Sequence, residues 1–105
     1  MNQLTDFATL IRQIRNFANS RDWERFHTPK NLAMAIAGEA GELAAEFQWL
    51  TAEESMLSSL SGEQLRKIRH EIADVQIYLL RIADVLDIDI PEAVTEKMKI
   101  NEARF

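Results

Sequence analysis

Apolar residues recur along this chain at intervals of three and four, the period of a helix that buries one face. A first helix is predicted from about Thr5 to Asn19, with Phe7, Leu10, Ile11, Ile14, Phe17 and Ala18 as its buried side. Thr28 followed by Pro29 is a strong helix start, an N-cap and then proline in the first turn. The second helix then runs to about Leu50, and Leu32, Ala35, Ile36, Glu39, Glu42, Leu43, Glu46 and Leu50 share one face. Thr51 to Glu54 and Ser61 to Gln64 both have capping-box spacing. They predict a short helical turn around 52–58 and a third helix over about 62–87. That helix carries the stripe Ile68, Ile72, Val75, Leu79, Ile82 and Leu86, with Glu71, Asp74 and Tyr78 along its edge. Asp89, Pro91 and a capping-box Glu92 open a fourth helix, with Ala93, Val94, Met98 and Ile100 as a looser apolar set. Only three glycines and two prolines interrupt the pattern, and no strand-like alternation competes. The expected fold is an all-α bundle of four helices.

With 105 residues, the chain is expected to form one domain over 1–105 with one core. A net charge of −5 without a basic run removes the electrostatic footprint of a nucleic-acid binder. An acidic protein that handles a polyanion needs a metal or a local basic cluster. The absence of cysteine excludes disulfides, thiolate zinc sites and cysteine nucleophiles, and fits a reducing compartment. The N-terminal stretch lacks the basic and apolar regions of a leader, and no apolar run is long enough to span a bilayer. A cytoplasmic location without membrane contact is expected.

Three carboxylates, Glu39, Glu42 and Glu46, interrupt the apolar stripe of the second helix. Unpaired carboxylates are costly to desolvate, so something positive belongs beside them. Glu39 and Glu42 are three apart, as are Glu71 and Asp74. Two such helices side by side converge four carboxylates on one point, a cage of hard oxygens suited to Mg²⁺ and, through it, to substrate phosphates. The alternative is a salt bridge, for which the first helix offers Arg12 and Arg15. Di-iron bundles use Glu-x-x-His on two helices, whereas here only Glu24 and His27 have that spacing, in the connection between the first two helices, and His70 does not. Neither a Ser-His-Asp set nor a phosphate-binding glycine loop is visible, which leaves metal-activated water as the route to catalysis.

Trp23, Phe26, Trp49 and Tyr78 offer flat surfaces for a base, although Trp23 and Phe26 also suit a lid over the core. Lys97, Lys99 and Arg104 are placed to clamp phosphates or simply to favour the end of the last helix. Gly38 and Gly41 inside the second helix imply the close approach of another helix or a ligand. Ala73, Ile77 and Leu80 lie away from the main stripe of the third helix, so that helix has apolar surface to spare for a subunit interface. An interaction module with salt-bridged acids is the reading from a different class.

The run Gly38-Glu-Ala-Gly-Glu-Leu-Ala-Ala-Glu-Phe-Gln-Trp49, followed by Glu71-x-x-Asp74-Val75-x-Ile77-Tyr78-Leu79, resembles the MazG-like all-α nucleoside triphosphate pyrophosphohydrolases, in particular their dCTP pyrophosphatase branch. Arg21-Asp-Trp-Glu-x-Phe-His27-x-Pro29-x-Asn31-Leu32 and Lys97-Met-x-Ile-Asn101 match the same branch. Broader MazG proteins carry a glutamate where Gly38 stands, so the fourfold set is the branch's pattern. The resemblance implies Mg²⁺-dependent cleavage of dNTPs between the α and β phosphates, giving the monophosphate and pyrophosphate. The implied substrate is dCTP or a modified dCTP, with dUTP or damaged purine triphosphates as alternatives. It implies Glu39, Glu42, Glu71 and Asp74 as metal ligands, and Trp23, His27, Asn31, Trp49, Tyr78, Lys97 and Asn101 as the substrate pocket. Glu46 would hold a second metal or orient water, and Arg104 would help hold the phosphate tail. It also implies a homodimer or homotetramer with sites near subunit contacts.

Overall fold

Asp6 starts the first helix: its carboxylate accepts the Thr9 N–H at 2.8 Å. The structure, a computed structural model, describes residues 6–105, so the expected start at Thr5 lies outside the described residues. Helix α1 spans Phe7–Ser20. Its last turn closes with the Trp23 N–H on the Ala18 carbonyl at 3.0 Å, and a left-handed Asp22 (φ 56°) turns the chain. A single 3-10 turn at Glu24–Phe26 follows. Helix α2 spans Pro29–Ala45, with the Thr28 hydroxyl accepting the Asn31 N–H at 3.2 Å. Helix α3, Gly62–Val85, begins with the expected box: Ser61 Oγ accepts the Gln64 N–H and Gln64 Oε1 accepts the Ser61 N–H. Helix α4, Ile90–Arg104, is capped by Asp89 through the Glu92 N–H at 3.0 Å. The described residues contain helices and turns and no strand.

Helix α3 is the central element, with α2 against one side and α1 against another. Leu32 and Leu80 are each 1% exposed, and Ala18, Ile68, Ala83 and Arg81 complete the buried set. That is a small core for this length. The radius of gyration is 16.3 Å, against about 13 Å for a closed domain of this size. The bundle is open because α4 contributes no buried residue and touches the other helices only sparsely.

Four expectations require correction. Helix α2 stops at Ala45 rather than Leu50: beyond it the Glu46 and Phe47 N–H groups bond back to Leu43 and Ala44, three residues away, and the chain tightens into turns. Thr51 and Glu54 do exchange capping bonds, yet only turns and a 3-10 turn at Leu57–Ser59 follow. On α1, Phe7 and Phe17 are exposed, and on α3 Ile72, Leu79 and Leu86 are exposed while Leu80 is buried. Helix α3 is thus rotated from its expected stripe, because its polar edge rather than its apolar stripe faces α2. Within the chain, a side chain added at Gly38 or Gly41 would meet nothing within 4 Å, so no helix of the same chain demands glycine there. Among the described residues, no helix is long and apolar enough to cross a membrane.

Candidate functional site

The inward face of α2 is the one its periodicity predicts. Leu32 is buried, Ala35, Ile36, Glu39, Leu43 and Glu46 are half-buried, and Glu42 sits at the exposed rim. Opposite it, α3 presents Glu71, Asp74, Tyr78 and Arg81, spaced three, four and three apart and therefore on one line along the helix. The closest approach joins the two helices: carboxylate oxygens of Glu39, Glu42 and Glu71 lie within 4.8 Å of one another. Asp74 borders this cluster, and Glu46, the C-terminal cap of α2, faces Glu71.

The cluster is electrostatically unsatisfied. Glu39 Oε2 and Glu71 Oε2 are both enclosed and accept no hydrogen bond. Loss of solvent, then repulsion from Glu42 and Asp74, raises the proton affinity of both carboxyls above the ordinary glutamate value, with Glu71 adding to Glu39 and Glu46 adding to Glu71. The salt-bridge alternative fails on geometry. Arg15 is committed to Asp84, and Arg12 reaches only the Thr9 hydroxyl. Among the described residues, no lysine or arginine pairs with any acid of the cluster. Oxygen donors only, with no cation and two enclosed oxygens lacking partners, fit a divalent hard ion such as Mg²⁺. They do not fit a solvated helix face.

One and two turns along α3 from Asp74, a small cavity of about 70 Å³ is lined by Tyr78 and Arg81 together with Trp23, His27, Ile14 and Phe17. Trp23 meets Phe17 edge-on at 5.5 Å and the His27 ring at 6.1 Å, so it packs in part as the expected lid, while Phe26 points out under Arg25. Asn31 spends its side-chain N–H on the Phe26 carbonyl at 3.0 Å and so fixes the loop that carries His27. Four expected site residues are not assembled with the rest in one chain. Trp49 is 87% exposed, since α2 ends before reaching it. Lys97, Asn101 and Arg104 stand on α4, which packs only sparsely on the other helices.

Sequence reasoning missed a buried polar relay. Arg81, 6% exposed, donates from Nε to His27 Nδ1 at 3.1 Å and from Nη1 to Asp84 at 3.2 Å. Asp84 also takes a two-pronged bond from Arg15 of α1, at 2.8 and 2.6 Å. The Arg15 bonds hold the Asp84 carboxyl below its ordinary range, whereas desolvation and then Arg81 lower the proton affinity of His27. The available signal was an arginine inside the run Tyr78-Leu-Leu-Arg-Ile-Ala-Asp84, three residues before an acid and in line with Glu71 and Asp74.

The MazG-like family matches residues 34–104, the stretch that carries both walls of the cluster and α4. Over 96 residues the chain is 45% identical to human dCTP pyrophosphatase 1 and 43% identical to the bovine protein, covering 90% of this chain in each case. It spans just over half of those relatives, 56% and 57% of their lengths. A pyrophosphatase crystal structure from Archaeoglobus fulgidus superposes with a TM-score of 0.87 at 38% identity, covering all of this chain and 96% of that one. The chain belongs to the MazG-like family.

Proposed function

We propose that this protein is a Mg²⁺-dependent nucleoside triphosphate pyrophosphohydrolase whose substrate is dCTP or a modified dCTP, converting it to the monophosphate and pyrophosphate. The observation that carries the reading is the Glu39, Glu42 and Glu71 cluster, with enclosed oxygens that lack a partner and no competing cation. The similarity to dCTP pyrophosphatase 1 supports the substrate.

Glu39, Glu42, Glu71 and Asp74 would hold the ion, which when bound neutralises triphosphate charge and acidifies a bound water. Glu46 orients the attacking water from the end of α2. Water adds its oxygen to phosphorus, the bond bridging the α and β phosphates breaks, and the water's proton passes to a carboxylate of the cluster. Tyr78 and Trp23 flank the base, with His27 at its edge. The axial rise from Asp74 to Arg81 is about 10 Å, which sets the cavity a nucleoside's length from the acids.

Lys97, Asn101, Arg104 and Trp49 complete the site from a second copy of the chain in this reading. It explains why α4 and Trp49 stand uncovered, and why α3 exposes Ile72, Ile77, Leu79 and Leu86. A homodimer or homotetramer acting in the cytoplasm is the proposed working form. The test is product analysis over a panel of dNTPs and NTPs with Mg²⁺ or EDTA. Monophosphate and pyrophosphate in equal amounts from dCTP, only with Mg²⁺, is expected. Release of orthophosphate, or no cleavage of any triphosphate by the folded protein, overturns the proposal.

A further inference from the structure

Arg81 occupies a position that the proposed chemistry leaves unused. It is the one buried charged residue among the described residues, and it lies on the same line of α3 as Glu71, Asp74 and Tyr78. Its guanidinium has only donors to offer. The Nε–H goes to His27 Nδ1 at 3.1 Å, which requires a lone pair on that nitrogen. A neutral imidazole with a lone pair on Nδ1 carries its proton on Nε2. Arg81 is itself held: Asp84 accepts its Nη1–H at 3.2 Å and is clamped from α1 by Arg15. A relay from α1 through α3 to the loop of His27 thus leaves the histidine one tautomer. His27 and Arg81 line the same small cavity, and what α1 adds there is apolar, Ile14, Phe17 and Ala18.

We infer that Arg81 is a positioning residue for base selection: by fixing His27 as the Nε2–H tautomer, it makes the cavity present a hydrogen-bond donor to ring nitrogen N3 of a cytosine. This rests on the proposed pyrophosphohydrolase reading and adds the source of its base preference. Cytosine N3 is an acceptor, whereas uracil and thymine carry a proton there. The locked donor pairs with the first and opposes the second, and a site built around one hydrogen bond rejects a partner that cannot make it. An unlocked histidine could place its proton on Nδ1, accept from uracil N3–H through Nε2 and discriminate poorly. The groups that bear on its protonation are Arg81 and Tyr78 from α3, with Asp84 behind Arg81. The guanidinium in contact disfavours the doubly protonated ring.

Two measurements on the full chain test this. Long-range ¹H–¹⁵N NMR reads the His27 tautomer directly. The wild type is expected to show Nε2–H with unprotonated Nδ1 at neutral pH, and Arg81→Met a mixture of tautomers. Steady-state kinetics with Mg²⁺ on dCTP and dUTP gives the discrimination ratio in kcat/KM, which is expected to fall at least about tenfold in Arg81→Met. The loss is expected mainly through a higher KM for dCTP with kcat little changed, and Arg81→Lys should recover part of it. Should Arg81→Met fold poorly, Asp84→Asn loosens the same arginine and should move the ratio and the tautomer the same way. An Nδ1–H tautomer in the wild type overturns the inference whatever the activity. A wild type that cleaves dCTP with a ratio unmoved in folded Arg81→Met overturns it while leaving the pyrophosphohydrolase standing. A wild type that cleaves no triphosphate removes the underlying function and the base preference with it.

Discussion

Placing a glutamate at Leu65 should weaken the proposed assembly of two or more copies of this chain and, with it, the stability of the fold. A closed monomer of 12.1 kDa exposes about 6,000 Å², whereas this chain exposes 8345 Å², an excess on the order of 2,000 Å². Two chains that each covered such an area would share an interface of about 4,000 Å², within the range of obligate complexes. Leu65, 41% exposed, lines with Ile68 and Ile72 the open apolar groove along the first half of α3. It stands almost two turns from Glu71, clear of the carboxylate cluster. Arg66 and Arg69 line the same groove, so a carboxylate buried there has a cation in reach and costs about 1 kcal/mol per copy, the low end for a desolvated polar group, hence about 2 kcal/mol per symmetric pair, or somewhat over one decade in the association constant. Sedimentation velocity and thermal unfolding over about a hundredfold range of concentration read both effects. The wild type should sediment as a dimer or larger, with Tm rising with concentration, and Leu65→Glu should dissociate at concentrations somewhat over a decade higher and melt earlier. A folded wild-type species of 12.1 kDa whose Tm ignores concentration would refute the reasoning.

Other consequences concern single groups. Because the folded pKa of Glu39 and Glu71 is raised above 4.5, the metal-free native state holds protons that the unfolded chain has released. Its stability should therefore fall as pH rises from 4.5 through the folded values, and Mg²⁺ should restore it most at the alkaline end; Tm against pH in EDTA and in Mg²⁺ shows the sign. Asp84 has a folded pKa below 3.8, so its contribution is full above that value and lost as pH falls through the folded pKa. Asp84→Asn should flatten the acid limb of urea denaturation. Leu80→Ala empties a site that is 1% exposed at the contact of α3 with its neighbours, and should cost about 2–5 kcal/mol in denaturant unfolding.

Much of this was legible in the residues. The starts of α2, α3 and α4 were readable because Thr28, Ser61 and Asp89 each supply a side-chain oxygen that takes an otherwise unpaired N–H, as the structure shows. The face of α2 was readable because its apolar period is interrupted only by the acids that turn inward with it. The end of α2 was not readable, since Phe47 and Leu50 continue the apolar pattern and neither glycine nor proline marks the stop. The rotation of α3 was hidden for a related reason: a helix apolar on several sides does not reveal which arc its own chain covers. Here Leu80 and Ala83 are covered while Ile72 and Leu79 are not, because Glu71 and Asp74 face the acids of α2. Arg81 escaped notice because its partners, His27 and Asp84, come from a loop and from the end of its own helix, and no spacing rule joins all three.

In the proposed function the cluster between α2 and α3 works through a bound divalent ion. The most direct test is pyrophosphate release from dCTP in a Mg²⁺ titration, comparing the wild type with Glu71→Gln, which keeps the side chain's shape and removes the charge. The expected result is Mg²⁺-dependent release by the wild type and a loss of at least about a hundredfold in the variant, while the variant unfolds in EDTA at the same temperature as the wild type or higher. Release that persists in EDTA, or a Glu71→Gln protein as active as the wild type, would contradict the account.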